Sequence, residues 1–520
     1  MLKDPSLMKA VSKILQRSER QTMDKLLVTY VDIGILAQLH NANNQIVYGR
    51  RGTGKTHVLK VVASELADDP SQAVAYIDAR TLGSTSQFSD TSLSLERRCI
   101  ALFRDILSEI YNALLEYVIV FGPENGTEIL ELLDEFGRTA TEGITTRNLI
   151  SEEAREGTSQ TGGGTVEFGM DGAGPGLSFT GETTASEEAV RRTETRVEYE
   201  DKVTFPSVKN TLGKLLGRLE SQLFILIDEW SSIPFEIQPH LAEFIKRGFL
   251  PDPTVVTKIA SLEYRSNFGE RRNHDFLGFE LGSDIATALD IDDYFVYDRN
   301  PDAVTSAFRE MLFLHIKSEL PDAYAEGALK VSTSEQFARR LFTEPGTFEE
   351  LVRASEGVPR DMINIFTTAY FDAHRRSRDN IDRKAVVEAA RQWFEKDKAQ
   401  NLEDDLQEVL RRIVDEVIGH RRARSFLIPR ELERHPVIRR LFDSRVLHLM
   451  QRGYADKDNP GLRYNIYTLD YGTYVDLLNT KKEPQVEMEE ITGPTEELVV
   501  PFDDKRSIRR ITLSEEILTV

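Results

Sequence analysis

Gly49-Arg50-Arg51-Gly52-Thr53-Gly54-Lys55-Thr56 follows directly on the apolar triplet Ile46-Val47-Tyr48 and runs into an apolar-periodic stretch reaching about Leu66. The octet satisfies G-x-x-x-x-G-K-[ST] between a short buried strand and a helix, which is the context the pattern requires. Its glycines permit a backbone wrap whose amides point inward, and the helix N-terminus adds positive potential. Lys55 is then placed to reach the β- and γ-phosphates of a nucleotide, and the Thr56 hydroxyl to ligate Mg²⁺. His57 closes the binding stretch and is expected on the helix surface rather than as a catalyst.

About 170 residues downstream, Leu223-Phe224-Ile225-Leu226-Ile227 ends in Asp228-Glu229. An apolar strand ending in two carboxylates suits nucleotide hydrolysis: Asp228 holds Mg²⁺ through its water shell, and Glu229 orients and activates the attacking water. No acceptor-binding motif accompanies them, so hydrolysis is expected rather than transfer to a metabolite. Further strands are read at 73–78 (AVAYID), 254–261 and 294–298 (YFVYD), and helices at 94–121 and 207–220. Strand, turn and helix in this order predict an α/β fold with a parallel, helix-covered sheet. Helices dominate from 301 to about 421.

The 520 residues carry 65 Lys and Arg against 86 Asp and Glu, a net charge of −21. That field repels phosphate backbones, which excludes a histone-like binder and requires any nucleic-acid contact to be a local basic surface. One cysteine, Cys99, rules out an intramolecular disulfide framework and a cysteine zinc site, and fits a reducing compartment. The nine histidines are scattered and form no metal-ligand cluster. No stretch approaches the ~20 apolar residues of a membrane span, and MLKDPSLMKAVSKILQRSER has no apolar leader core, so a soluble cytoplasmic protein without membrane contact is expected. Residues 137–205 hold 11 glycines with seven basic and thirteen acidic side chains, and TVEF and LSF flank GMDGAGPG as a hairpin would. A flexible surface insertion and an ordered contact with a partner both fit this segment.

GRRGTGKT together with LIDEW resembles the AAA+ ATPases, and GVPRDMINIF (357–366) resembles the sensor-2 helix of their origin-recognition, replication-initiator-like clade. The likeness spans roughly 25–475 without the insertion. It implies a P-loop NTPase sheet with a helical lid, followed by a winged-helix domain, binding ATP and Mg²⁺. It also implies self-assembly, with composite sites at subunit junctions. Arg360 would contact the γ-phosphate from a helix start prepared by Pro359. Ser261 is the nearest candidate for the polar sensor-1 residue, where the clade often has asparagine. Arg265, Arg271 and Arg272 are candidates for the arginine that acts on a neighbouring protomer. Tyr30 and Val31 sit where such proteins build the adenine pocket. The domains implied are an N-terminal helical segment (1–44), a nucleotide-binding core (45–300), the lid (301–400), the winged helix (403–480) and an acidic tail (481–520).

Within the winged helix, VLRRIVDEVIG, LIPRELERHP and VIRRLFDSRVLHLMQRGYA read as three helices and ADKDNPGLRYNIYTL as the β-wing. From 411 to 463 there are 13 basic and seven acidic residues, against the acidic remainder. Arg439, Arg440, Arg445 and Arg463 are candidate contacts to duplex DNA, since arginine forks match phosphate oxygens. The end, IRRITLSEEILTV, is apolar enough to dock. The resulting expectation is a DNA-associated ATPase switch. The alternatives are a bacterial defence ATPase that controls a separate effector protein, or a nucleotide-bound scaffold with little turnover.

Overall fold

A computed structural model describes residues 1–15, 17–83, 90–122, 126–141, 146–150, 196–200, 204–273, 275–420, 423–455, 461–473, 475 and 511–519. Helix α1 (Pro5–Lys13) starts behind Asp4, whose carboxylate accepts from the Leu7 amide at 2.9 Å and so caps the first turn. Helix α2 (Met23–Thr29) and the single turn α3 (Leu36–Leu39) lead into β1 (Gln45–Tyr48), and the glycine-rich loop into α4 (Lys55–Ala67). Strand β2 (Gln72–Asp78) follows, then the long α5 (Leu95–Phe121), capped by Ser94, and α6 (Thr127–Thr141). Strands β3 (Thr146–Ile150) and β4 (Arg196–Glu200) pair antiparallel within a separate unit, Glu142–Thr204. The hairpin expected around GMDGAGPG lies outside the described residues.

The main unit resumes with α7 (Phe205–Leu219), β5 (Gln222–Asp228), α8 (Gln238–Gly248) and β6 (Val255–Ser261). A hairpin of β7 (Gly269–Arg272) and β8 (Asp275–Gly278) precedes β9 (Thr287–Asp290). Strands β2-β5-β6-β1-β9, in that order, form one entirely parallel sheet. Central β6 is buried along its whole length and β5 along all but its first residue, which is why both read as continuous apolar runs; β2 alternates instead. The glycine-rich loop leaves the carboxyl end of β1, and Asp228 ends β5 at the same edge of the sheet, where open α/β sheets bind ligands. With the loop on β1, this strand order is the P-loop AAA+ α/β fold.

The fifth strand is therefore TALD, not the expected YFVYD. Asp290 caps a 3₁₀ turn at Ile291–Tyr294 by accepting from the Asp292 amide at 3.0 Å. Local capping by aspartates wins over a strand ladder in this acidic run.

Helices α9 (Pro301–Lys317), α10 (Tyr324–Gly327), α11 (Ser334–Leu341), α12 (Pro345–Ala354), α13 (Pro359–Arg375) and α14 (Arg383–Trp393) follow. Side chains of Asn300, Thr333 and Asp382 cap α9, α11 and α14. Their apolar faces join the core of the sheet: Phe308, Leu351, Phe366 and Val386 lie in one buried cluster with Leu59, Phe224 and Val256. Among the described residues no helix is long and apolar enough to cross a membrane.

The C-terminal segment has its own core. Helix α15 (Asp404–Val414) widens into a π-helical turn through His420, and β10 (Ser425–Pro429), α16 (Pro436–Asp443), β11 (Leu447–Ala455) and β12 (Arg463–Leu469) follow. The strands form an antiparallel sheet, β10-β12-β11, over Val409, Ile413, Phe426, Ile438, Leu441 and Tyr467. Two expected helices are corrected here. LIP, the expected start of the second helix, belongs to the strand SFLIP, and the third helix stops at Asp443. There the chain turns through Arg445 at φ 60°, with Val446 donating to the Leu441 carbonyl at 3.1 Å, and continues as β11. The terminal stretch docks beside β10: Leu427 donates to Ile511 and Leu513 donates back to Leu427, with Leu513 and Leu518 buried.

Candidate functional site

Gly52 and Gly54 adopt φ +89° and +98°, left-handed values that let the loop wrap closely and make Gly54 the N-cap of α4. Thr53 Oγ1 donates to the Arg50 carbonyl (2.9 Å), and Lys55 Nζ donates to the carbonyls of Gly49 (2.7 Å) and Arg50 (3.1 Å). Burial pulls the Lys55 ammonium below its ordinary pKa, while Glu229, Asp292 and Asp228 oppose that shift. A cavity of about 410 Å³ opens over this loop, and Arg51 through His57 line it.

Gly49 and Arg50 do not line the cavity. The Arg50 side chain turns away: its Nε donates to Asp292 (3.1 Å), Nη2 to the Glu356 carbonyl (3.1 Å) and Nη1 to His448 Nδ1. Of the two loop arginines, only Arg51 faces the cavity. His57 is half-buried in the cavity wall rather than on the helix surface: its Nε2 donates to the Leu26 carbonyl (2.7 Å), and its ring meets Tyr30 edge-on.

Asp228 is fully buried. It accepts from the Tyr76 hydroxyl (2.9 Å) and from the Glu229 amide (2.8 Å). Glu229 leaves the strand at φ 55°, ψ 38°, a conformation rare for a non-glycine residue, and this turn brings its carboxylate to the cavity. Burial first, and the neighbouring Asp228 second, raise its pKa above the usual carboxylate range, so it is a stronger base than a free glutamate. Thr56 lines the cavity, while Asp228 does not and lies buried next to the lining residue Glu229; their oxygens are hard donors, the kind that hold a Mg²⁺ keeping several of its waters. Trp230 packs instead of facing the site, stacked on Phe268.

Arg360 enters from α13. Its amide donates to the Gly52 carbonyl (3.2 Å), and a Cβ on Gly52 would stand 2.7 Å from the Arg360 Cβ, so loop and helix touch at a position only glycine fits. Tyr30 and Val31 line the cavity together with Ile33, Ile35, Phe295 and His315. Sequence reasoning missed Arg17, Glu19 and Arg80 on the polar rim. Arg80 pairs with Asp78 (2.6 Å) and Glu19 (3.1 Å), and its place just past the end of β2 was the available signal.

The remaining candidates lie elsewhere. Ser261 is buried, bonded to Ser266, and does not line the cavity; its neighbour Leu262 does. None of Arg265, Arg271 and Arg272 lines it either. Arg265 pairs with Asp443 (2.8 Å), Arg272 with Glu270 and His240, and Arg271 stands exposed on β7. Arg445 is not a surface residue: its side chain is 10% exposed and its guanidinium pairs with Asp361 and Asp397, which corrects its expected role at phosphates. Arg440 is engaged with Glu403 and Asp405, Arg439 lies 5.8 Å from the Tyr264 ring centre, and Arg463 is exposed.

No family model and no curated protein matches the chain. Among solved structures, the ORC2 protein of Aeropyrum pernix, in ADPNP–ADP complexes, is 12% identical, with 92% of this chain and 98% of that one covered at TM-score 0.33. Cdc6p of Pyrobaculum aerophilum is 11% identical (93% and 99% covered, TM-score 0.31). The RuvB Holliday junction branch migration motor of Thermotoga maritima is 10% identical (91% and 98% covered, TM-score 0.31). The fold assignment rests on the sheet order and the phosphate loop of this chain rather than on these distant likenesses.

Proposed function

We propose that the cavity binds ATP and that the chain hydrolyses it with Mg²⁺, working as a nucleotide-dependent switch. The observation that carries this reading is the convergence of Lys55, Thr56, Glu229 and Arg360 on one cavity from three separate parts of the chain. Loop amides and Lys55 cradle the phosphates, Glu229 takes the proton of the attacking water, and Arg360 stabilises charge on the leaving phosphates. Thr56 and Asp228 would hold the Mg²⁺, which neutralises phosphate charge. Glu229→Gln keeps the shape of the side chain and loses the base. It should bind ATP like the parent and turn it over at least 100-fold more slowly. Parental turnover in that variant would remove Glu229 from the mechanism.

The same reading extends to self-assembly. A hydrolytic site of this kind is completed by a further arginine, for which Arg271, exposed on the β7–β8 hairpin, and Arg272 beside it, exposed but paired with Glu270 and His240, are the candidates to reach a neighbouring protomer. We read the C-terminal segment as a winged helix that contacts duplex DNA. The exposed Arg463 and the partly exposed Arg439 and Arg440 support this, as does the excess of basic residues between 411 and 463.

A further inference from the structure

Part of the cavity wall is apolar, formed by Val31, Ile33, Ile35, Ile291, Phe295 and Ile363. His315 of α9 interrupts it. The residue is 8% exposed, and its Nδ1 lies 2.9 Å from the carbonyl of Met311, one turn earlier. A carbonyl only accepts, so Nδ1 carries the hydrogen and donates. Burial pushes the ring down to about 4, with His57 and Lys25 adding to the shift, and leaves the imidazole neutral at physiological pH. Nε2 therefore bears a lone pair, and it has no hydrogen-bond partner among the described residues. The two basic groups nearby are accounted for: Lys25 pairs with Glu319, and His57 donates to Leu26.

We infer that His315 selects the nucleobase, its Nε2 accepting a hydrogen bond from the exocyclic amine of adenine. The inference rests on the nucleotide reading above. At the same position guanine and hypoxanthine carry a carbonyl oxygen, which would set lone pair against lone pair in an apolar pocket. An acceptor buried there without a donor carries its full desolvation cost. Discrimination on the order of 10- to 100-fold against 6-oxo purines follows, by the logic that a site built for a hydrogen bond rejects the analogue lacking the donor.

The test uses the full chain and four triphosphates: ATP, GTP, ITP and purine riboside triphosphate, which has hydrogen in place of the amine. The parent should bind ATP at least 10-fold more tightly than the other three. His315→Leu, which removes the acceptor, should bring all four within about threefold of one another. Should the leucine variant fail to fold, His315→Gln tests the same point, because its amide can turn a donor toward O6 and should narrow the gap between ATP and ITP. Equal binding of the four by the parent, or undiminished preference for ATP in a folded variant, overturns the role of His315. If all four bind equally and Lys55→Ala abolishes that binding, the nucleotide site stands and only this inference fails. If none binds, the nucleotide reading itself fails, and this inference with it.

Discussion

Arg50 in the phosphate loop donates a hydrogen bond to His448 on β11, a partner 398 residues further along the chain. His448 passes the contact on, its Nε2 donating to Asp470 at 2.9 Å. Asp470 pairs with Lys398, Lys398 with Asp361 at 3.0 Å, and Asp361 with Arg445. Asp361 follows Arg360 directly on α13, so the buried chain of charges returns to the cavity by a second route. The loop, the helix that presents Arg360 and the C-terminal segment are thus held through one polar network. Such buried ions persist only when each is paired, and removing one partner strands the rest.

The two adjacent loop arginines should therefore behave oppositely. Arg50→Ala leaves the Glu356 carbonyl and His448 without their donor, and Asp292 with only the residue-50 backbone amide and no counter-charge, and should lower stability by about 3 kcal/mol. Arg51→Ala, at an exposed side chain that faces the cavity, should change stability by less than about 0.5 kcal/mol and weaken nucleotide binding instead. Urea melts of both variants, read beside ATP titrations, check the contrast. Equal losses of stability would dissolve it.

The network also fixes a pH dependence. His448 is held down to about 4 by burial first and by Arg50 second, and His315 to about 4 chiefly by burial. Both rings are neutral in the fold, whereas the unfolded chain takes up protons near 6.5. Stability is thus fully present above about pH 6.5 and falls as pH drops toward 4, by up to about 3 kcal/mol for each histidine. Glu356 has the opposite sign. Burial pushes it to about 8, so its contribution is present below about pH 4.5 and declines as pH rises to 8. Thermal melts across pH 4.5 to 8.5 should show a maximum near neutrality. His448→Gln should flatten the acid limb, and an acid limb unchanged by that substitution would contradict the assignment.

At Gly52 two constraints meet, a φ of +89° and the 2.7 Å approach to Arg360. Gly52→Ala should cost about 1–3 kcal/mol and push α13 from the loop. Turnover should fall with it, because Arg360 is carried on that helix. Parental melting temperature and turnover in the alanine variant would show that the contact is not needed.

The sequence disclosed the parts of this site that follow from local pattern. The glycine spacing dictates the loop, and the apolar run into Asp228-Glu229 marks a central strand ending at the ligand edge. What it concealed was decided at long range. GRRG offers two equivalent arginines, and the one that turns inward is chosen by His448. Residues 437–455 read as one helix, and the reversal falls on Arg445, a non-glycine residue in a left-handed conformation with no local signature. Asp361 and Asp397 hold that arginine in place, and neither is its neighbour in sequence. Arg17 and Glu19 reach the cavity from a polar segment whose composition says nothing of a site.

The composite-site reading can be tested on the exposed hairpin. Lys55, Glu229 and Arg360 lie on one cavity, and neither Arg271 nor Arg272 lines it, so on the proposed reading one of these two would complete the site of a neighbouring protomer. Arg265 is already engaged with Asp443 at 2.8 Å and would have to give up that pair to act on a neighbour. So Arg271→Ala or Arg272→Ala should lower turnover by about 10³-fold or more while leaving ATP binding in place, the magnitude typical of an arginine supplied from a partner. Arg265→Ala should loosen the contact with α16 and act mainly on stability. Turnover per protomer should rise with protein concentration until assembly is complete. Mixing Lys55→Ala protomers, which keep both hairpin arginines, with the inactive hairpin variant should restore part of the activity. A specific activity independent of concentration, with no rescue on mixing, would show that each chain hydrolyses ATP with its own residues alone.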